Sequence, residues 1–223
     1  MAGRNADAPT FSERHNATVI SKPHEEDQPF NDFLDYVIQQ ELDPAFPKTC
    51  EVRYAQTRKL LPPLLCHSLS RPFLILILPE NDNFRNEYAL LFKDAQKDIP
   101  FARIALQKDP DAINLWIGNS RSTTALHRDP MENIYVQVLG QKHFVLLPPL
   151  CHPCVNEQLV KPATYARNGD KLELTIDDGA DDVPLARWDP DNPTMNATEL
   201  SHLAKPIHVT LNPGDMLYLP AMW

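Results

Sequence analysis

The chain has 223 residues and a formal net charge of -9, with 43% hydrophobic and 23% charged residues. That length holds one domain with a sizeable core, or at most a domain plus part of another. The acidic balance, with no local basic patch, argues against general nucleic-acid binding, and 22 prolines against 6 glycines argue against a long-helix bundle.

In chain order, residues 1–28 read as a polar, irregular lead-in with no apolar stretch of the secretory-signal kind. Within it, His24-Glu25-Glu26 has a metal-like spacing but no strand pattern, and reads as solvated surface. Phe33, Leu34, Val37, Ile38 and Leu42 recur at helical spacing, with Asn31 or Asp32 as N-cap and Pro44 and Pro47 beyond the end. Residues 51–56 read as a short strand.

Residues 58–79 have neither helical nor alternating period and contain no acidic residue. Two readings stand side by side. One is a retained intron translated through its pyrimidine-rich tract. The other is a buried strand over 73–78 behind a proline-rich loop. The apolar run at 73–78, the longest in the chain, is too short to span a bilayer. Four cysteines without a secretory signal read as reduced thiols, so the expected location is cytoplasmic or nuclear, with no membrane association.

Residues 83–94 predict a helix, and 113–117 an apolar strand closed by Gly118-Asn119. Two strands follow at 134–139 and 142–147, joined by Gly140-Gln141 as a two-residue hairpin loop. Residues 151–205 read as loop-rich, with an exposed acidic run at 177–182. A last hairpin is expected from 208–211, Pro213-Gly214 and 216–219. The run of short strands and turns favours a small barrel or sandwich over a parallel sheet.

The chemistry concentrates at His127-Arg128-Asp129. On an extended strand, residues i and i+2 share a face, so imidazole and carboxylate can reach one metal ion. Two histidines and one carboxylate leave open positions on an octahedral ion, which suits non-haem iron(II) oxygenases. The spacing alone carries little, and context adds to it. In the expected hairpin Tyr135 and Lys142 share a face. A lysine on an apolar strand is costly to bury unless an anion meets it, and a dicarboxylate would supply that anion beside the Tyr135 hydroxyl. The bland reading of Lys142 is a snorkelling side chain at a strand start.

Asn114-Leu115-Trp116-Ile117-Gly118, Thr123-Thr124-Ala125-Leu126-His127-Arg128-Asp129, Glu132-Asn133-Ile134-Tyr135, Gly140-Gln141-Lys142-His143-Phe144 and Pro213-Gly214-Asp215-Met216-Leu217-Tyr218-Leu219-Pro220-Ala221-Met222-Trp223 follow one another in order. This pattern resembles the Jumonji-C (cupin-like) hydroxylases, and most closely the small lysyl hydroxylase subgroup. The resemblance implies a mainly β fold with flanking helices, an incomplete double-stranded β-helix (jelly-roll) over 29–223. It implies iron(II) on His127 and Asp129, with 2-oxoglutarate held by Lys142, Tyr135 and Thr124 and with Tyr54 lining the pocket. It also implies a protein substrate, a lysine side chain, as the hydroxylated partner.

In the resembled family the second histidine ligand lies two residues beyond the tryptophan matching Trp223, and further elements precede the position of Met1. The expectation is therefore a chain truncated at both ends. Excising 58–79 would make the flanking family-like pieces nearly contiguous. The alternative from another class is an inactive binding module of the same fold, lacking the distal histidine. A third reading is a thiol-redox protein built on Cys151-His152-Pro153-Cys154, against which stand the preceding Pro148-Pro149 and the lack of a βαβ pattern. Asn16-Ala17-Thr18 and Asn196-Ala197-Thr198 are read as accidental sequons, and Trp116, Phe144 and Trp223 as barrel core.

Overall fold

The computed structural model describes residues 8–48, 50–55 and 82–223. The possible insert at 58–79, the strand at 73–78 and Cys66 lie outside the described residues. The described residues divide into two compact units, one within Gln28–Ser122 and one formed by parts of Arg4–Asp27 and Thr123–Trp223. Among the described residues no helix is long and apolar enough to cross a membrane.

The first unit is helical. Helix α1 spans Phe30–Leu42 and buries Phe33, Val37 and Gln40. It begins earlier than the expected cap, because Pro29 takes the N-cap position and presets an extended entry, leaving Asp32 in the first turn near the positive end of the helix dipole. Gln40 is 2% exposed and satisfied on both sides: its Nε2 donates to the Glu51 carbonyl at 3.0 Å, and its Oε1 accepts from Asn119 Nδ2 at 3.0 Å. Tyr36 donates to the same Glu51 carbonyl at 2.7 Å.

The helix expected over 83–94 is two short ones, α2 (Asn83–Asn86) and α3 (Ala89–Phe92). A further helix not read in the sequence, α4 (Pro100–Leu106), starts with proline at its first turn and ends on Gln107 in the left-handed conformation.

The strand expected at 113–117 does not form, and the reason is local. The Ile113 N–H is taken by the Asp82 carboxylate at 2.9 Å and the Leu115 N–H by Asn83 Oδ1 at 2.7 Å. Side chains thus occupy the donors a neighbouring strand would need. What remains is an isolated bridge between Ala55 and Ile117, which is also all that the strand expected over 51–56 provides among described residues. Trp116, expected in a core, is 39% exposed and lies against the Tyr54 ring with centroids 5.8 Å apart.

The second unit is β-rich. Residues 8–22, expected to be irregular, form β1 (Ala8–Ser12) and β2 (Ala17–Lys22). Only Val19 and Ser21 of β2 point fully inward, so the strand carries little periodic signal of its own. Long-range pairing makes it a strand: β2 runs parallel to β6 (Pro162–Asn168), which pairs with β7 (Lys171–Ile176), giving the order β1-β2-β6-β7. The stretch read as loop-rich therefore holds four strands, since β5 (Glu157–Val160) pairs with β8 (Val183–Ala186). Three of them, EQLV, PATYARN and VPLA, carry no polar–apolar alternation, so their partners and not a local period make them strands. Leu147, Val155 and Trp188 form a buried cluster, against which Leu126, Cys151, Ala186 and Ala204 pack.

Neither expected hairpin closes on itself. Strand β3 (Asn133–Val136) pairs with β10 (Met216–Leu219), and β4 (Lys142–Leu146) pairs with β9 (Ile207–Leu211). The cause is visible at Gln137. Its N–H donates to the Asp215 carbonyl at 3.0 Å and its carbonyl accepts from Gly214 N–H at 2.8 Å, so neither group is free to bond back to β4. The four strands are one antiparallel ribbon that turns a corner, with residues 137–141 opposite 212–215. One strand carries an extra residue there, as in a β-bulge, and Gln141 Nε2 holds Asn212 Oδ1 across the corner at 2.8 Å. Such a folded two-stranded ribbon is the building unit of a double-stranded β-helix, and among the described residues its sheets stay open.

Candidate active site

His127 and Asp129 do not lie on a ladder-paired strand, contrary to expectation. They converge nonetheless, with His127 Nε2 3.9 Å from Asp129 Oδ1 and both side chains more than half exposed. Three local bonds hold them in place of a strand ladder. His127 Nδ1 lies 2.8 Å from the Ala125 carbonyl. A carbonyl can only accept, so Nδ1 carries the proton and Nε2 keeps its lone pair for a ligand. The Met222 N–H donates to the Asp129 carbonyl at 2.7 Å. Asn133 Nδ2 donates to Asp129 Oδ2 at 3.3 Å, leaving Oδ1 as the oxygen nearer His127. Asn133 stands in the quoted Glu132-Asn133-Ile134-Tyr135 motif, but its role was missed, because nothing in the spacing ties an amide to a carboxylate four residues back.

The donor chemistry fits a non-haem iron(II) site as far as it goes. One imidazole nitrogen with its tautomer fixed and one oriented carboxylate oxygen supply two of the three donors of a facial triad. Among the described residues, no group of three His, Cys, Asp or Glu side chains converges as a metal site. His143 is turned away, with Nδ1 2.8 Å from Thr210 Oγ1 on β9.

Tyr135 and Lys142 are not brought together by the expected hairpin; each lies near Phe144 instead. They sit on differently paired strands, and Phe144 is their common neighbour. The Tyr135 and Phe144 rings meet edge to face with centroids 5.0 Å apart, and Lys142 Nζ lies 5.9 Å from the Phe144 ring centre. Burial pushes the Lys142 ammonium below the usual lysine range and pushes the Tyr135 phenol above its own. Both are polar groups placed in a low-dielectric setting that an anion would relieve. Thr124 is exposed, ahead of His127 in the same connection. Tyr54 belongs to the first unit. There its ring packs so tightly on Gly118 that a Cβ at that position would lie 2.6 Å from the ring and from Ser122 Oγ.

The Cys151-His152-Pro153-Cys154 segment is a short 3-10 helix, Pro149–Cys154. Burial, then the neighbouring Cys151 thiol, push the Cys154 thiol above the usual range, which suppresses the thiolate that redox exchange requires. All three described cysteines, Cys50, Cys151 and Cys154, are free.

An open, corner-turning β-ribbon with a His-x-Asp pair beside it defines the class, and the whole-chain comparison agrees. The chain belongs to the cupin-like domain family, which it matches over residues 2–223, and the relatives it resembles include JmjC-domain proteins. It is 39% identical over 155 residues to "Lysine-specific demethylase JMJ32" of Arabidopsis thaliana, covering 65% of this chain and 44% of that protein. It is 35% identical over 153 residues to human "Bifunctional peptidase and (3S)-lysyl hydroxylase JMJD7", covering 68% of this chain and 48% of that protein. A third relative is "JmjC domain-containing protein E" of Dictyostelium discoideum, 33% identical over 157 residues and covering 65% and 44% of the two chains. The chain thus spans about half the length of these relatives.

Proposed function

We propose that this chain carries the iron(II)- and 2-oxoglutarate-binding part of a protein hydroxylase that acts on a lysine side chain. The observation that carries the reading is the convergence of His127 Nε2 and Asp129 Oδ1, with the other nitrogen of the imidazole already committed to Ala125. The human relative's printed name, a lysyl hydroxylase, supports the substrate class.

Iron(II) with 2-oxoglutarate and dioxygen supplies the oxidation, placing one oxygen atom in a substrate C–H bond while 2-oxoglutarate leaves as succinate and carbon dioxide. The residues of this chain bind and orient. His127 and Asp129 are the metal donors, and Asn133 steadies the carboxylate. Lys142 is the counter-charge for the distal carboxylate of 2-oxoglutarate, with Tyr135 and Thr124 as hydroxyl donors and Phe144 as an apolar wall. A second histidine would complete the donor set. The protein's share is positioning and a partly desolvated site.

The printed name of the Arabidopsis relative favours a second reading, demethylation, in which the same site oxidises an N-methyl group and the carbon leaves as formaldehyde. Incubating the full-length protein with iron(II), 2-oxoglutarate and lysine peptides, methylated and unmethylated, separates the two. Hydroxylated peptide with succinate supports the first reading and formaldehyde supports the second. Succinate production unchanged by His127→Ala contradicts both.

A further inference from the structure

We infer that Glu157 is a positioning residue for the metal donors, a clasp that holds the segment between them through Arg128. The inference rests on the metal-site reading of His127 and Asp129. Those two side chains turn toward each other, whereas Arg128 between them reaches the opening residue of β5: Arg128 Nη2 lies 3.4 Å from Glu157 Oε2. The other oxygen of the same carboxylate, Oε1, lies 3.1 Å from His152 Nε2. Glu157 thus spans two partners from different parts of the chain, one on the donor segment and one on the Pro149–Cys154 turn.

Both ends of this clasp are anchored. The turn contributes Cys151 to the surface of the Leu147, Val155 and Trp188 cluster, and the donor segment contributes Leu126 to the same cluster. Glu157 itself is fixed by the β5–β8 ladder, where it pairs with Ala186. The donor segment has no ladder of its own. Its restraints are Leu126 and the His127–Ala125 contact before it, the Met222–Asp129 backbone bond and the Asn133 amide on Asp129 behind it, and Glu157 on Arg128 in the middle. Removing the middle restraint would loosen the Arg128 segment between the two donors while the contacts on either side remain, so the expected effect is on donor spacing rather than on the fold.

Arg128 and His152 are about two-fifths exposed and Glu157 about a quarter, so the pair contributes little to global stability. Its effect is expected in metal affinity, where outer-shell partners typically matter about tenfold or more. That separates the role from a merely structural one.

The test is Mn2+ titration of the full-length protein, read by paramagnetic broadening of the His127 imidazole resonances, with melting temperature measured in parallel. Glu157→Gln keeps the shape and removes the charge, and Glu157→Ala removes both. Each is expected to weaken Mn2+ binding by about tenfold with the melting temperature nearly unchanged. The exchanged pair Arg128→Glu with Glu157→Arg restores most of the lost affinity. Wild-type Mn2+ affinity in Glu157→Gln and Glu157→Ala, or no recovery in the exchanged pair, overturns the clasp and leaves the metal site standing. Equal Mn2+ affinity in wild type and His127→Ala, read in both on the backbone amide resonance of Asp129, overturns the metal site, and the clasp with it.

Discussion

The Met222 N–H donates to the Asp129 carbonyl at 2.7 Å, so the backbone after β10 runs beside the segment that carries His127 and Asp129. The contact follows from the ribbon. Because β10 pairs with β3, which opens just after Asp129, the turn leaving β10 is delivered back to the start of β3.

Asn133 is expected to matter to the same carboxylate. Asn133→Ala frees Asp129 Oδ2, and metal affinity should fall by about tenfold, the scale of outer-shell partners, with little change in melting temperature. Mn2+ titration of the variant checks it; unchanged affinity would mean that Asp129 is oriented by its backbone alone.

Lys142 should reveal itself through the pH dependence of stability. Its folded-state pKa is lowered by burial, so the unfolded chain binds the proton more tightly. Below the folded pKa the fold carries the full penalty of a buried ammonium. As pH rises through the folded pKa toward the unfolded value, the penalty is relieved and stability rises. Lys142→Met should therefore stabilise the ligand-free protein near neutrality and flatten that rise, while weakening 2-oxoglutarate binding. Urea denaturation across pH, paired with 2-oxoglutarate titration, tests both halves.

Asp177, expected in a solvated acidic loop, instead receives Lys22 Nζ at 2.8 Å and Thr164 Oγ1 at 2.8 Å, tying β2 to the β6–β7 hairpin. Burial raises its pKa, but these two hydrogen bonds and the Lys22 charge outweigh that, and the net shift is downward. The stability it contributes is present above the unfolded carboxylate pKa and is lost as pH falls through the folded one. Asp177→Ala should cost about 1–2 kcal/mol at neutral pH and almost nothing at strongly acid pH, as read by denaturation at both.

Gly118→Ala should destabilise the first unit. The new methyl would lie 2.6 Å from both Tyr54 and Ser122 Oγ, a clash that requires the ring to move. A loss of about 1–3 kcal/mol is expected, typical of overpacking. Pairing it with Tyr54→Ala should recover part of that loss, which denaturant midpoints of the single and double variants will show.

Cys154 should react slowly. Its thiol is 6% exposed and pushed up by burial, so alkylation near neutrality should modify Cys151 well before Cys154 in a mass-spectrometric time course. Cys154 reacting first would revive a redox reading of the Cys-x-x-Cys turn.

The legible parts of this chain were those whose signal is local. Helix α1 was announced by Phe33 and Val37, and the approach of His127 to Asp129 by their spacing. The Pro213-Gly214 turn also forms where expected, with Asp215 N–H donating to the Asn212 carbonyl at 2.9 Å. What failed was partner choice. Turn chemistry at 140–141 and 213–214 suggests hairpins, but the Gln137 backbone bonds across the ribbon and sends consecutive strands to different partners. Strand β2 is specified by its pairing with β6, more than a hundred residues away in sequence, and β1 by its pairing with β2, which no local period reports. One signal was present and overlooked: Gly169-Asp170, directly after Asn168 and with Gly169 at φ 59°, is the two-residue turn that joins β6 and β7.

The most direct measurement is the anaerobic visible spectrum of the full-length protein with iron(II) and 2-oxoglutarate. A 2-oxo acid chelated to iron(II) gives a charge-transfer band. The account predicts that band in the wild type, its loss in His127→Ala and Asp129→Ala, and a higher 2-oxoglutarate requirement in Lys142→Met. A band of equal strength in His127→Ala would show that the metal lies elsewhere, and the assignment of His127 and Asp129 would be wrong.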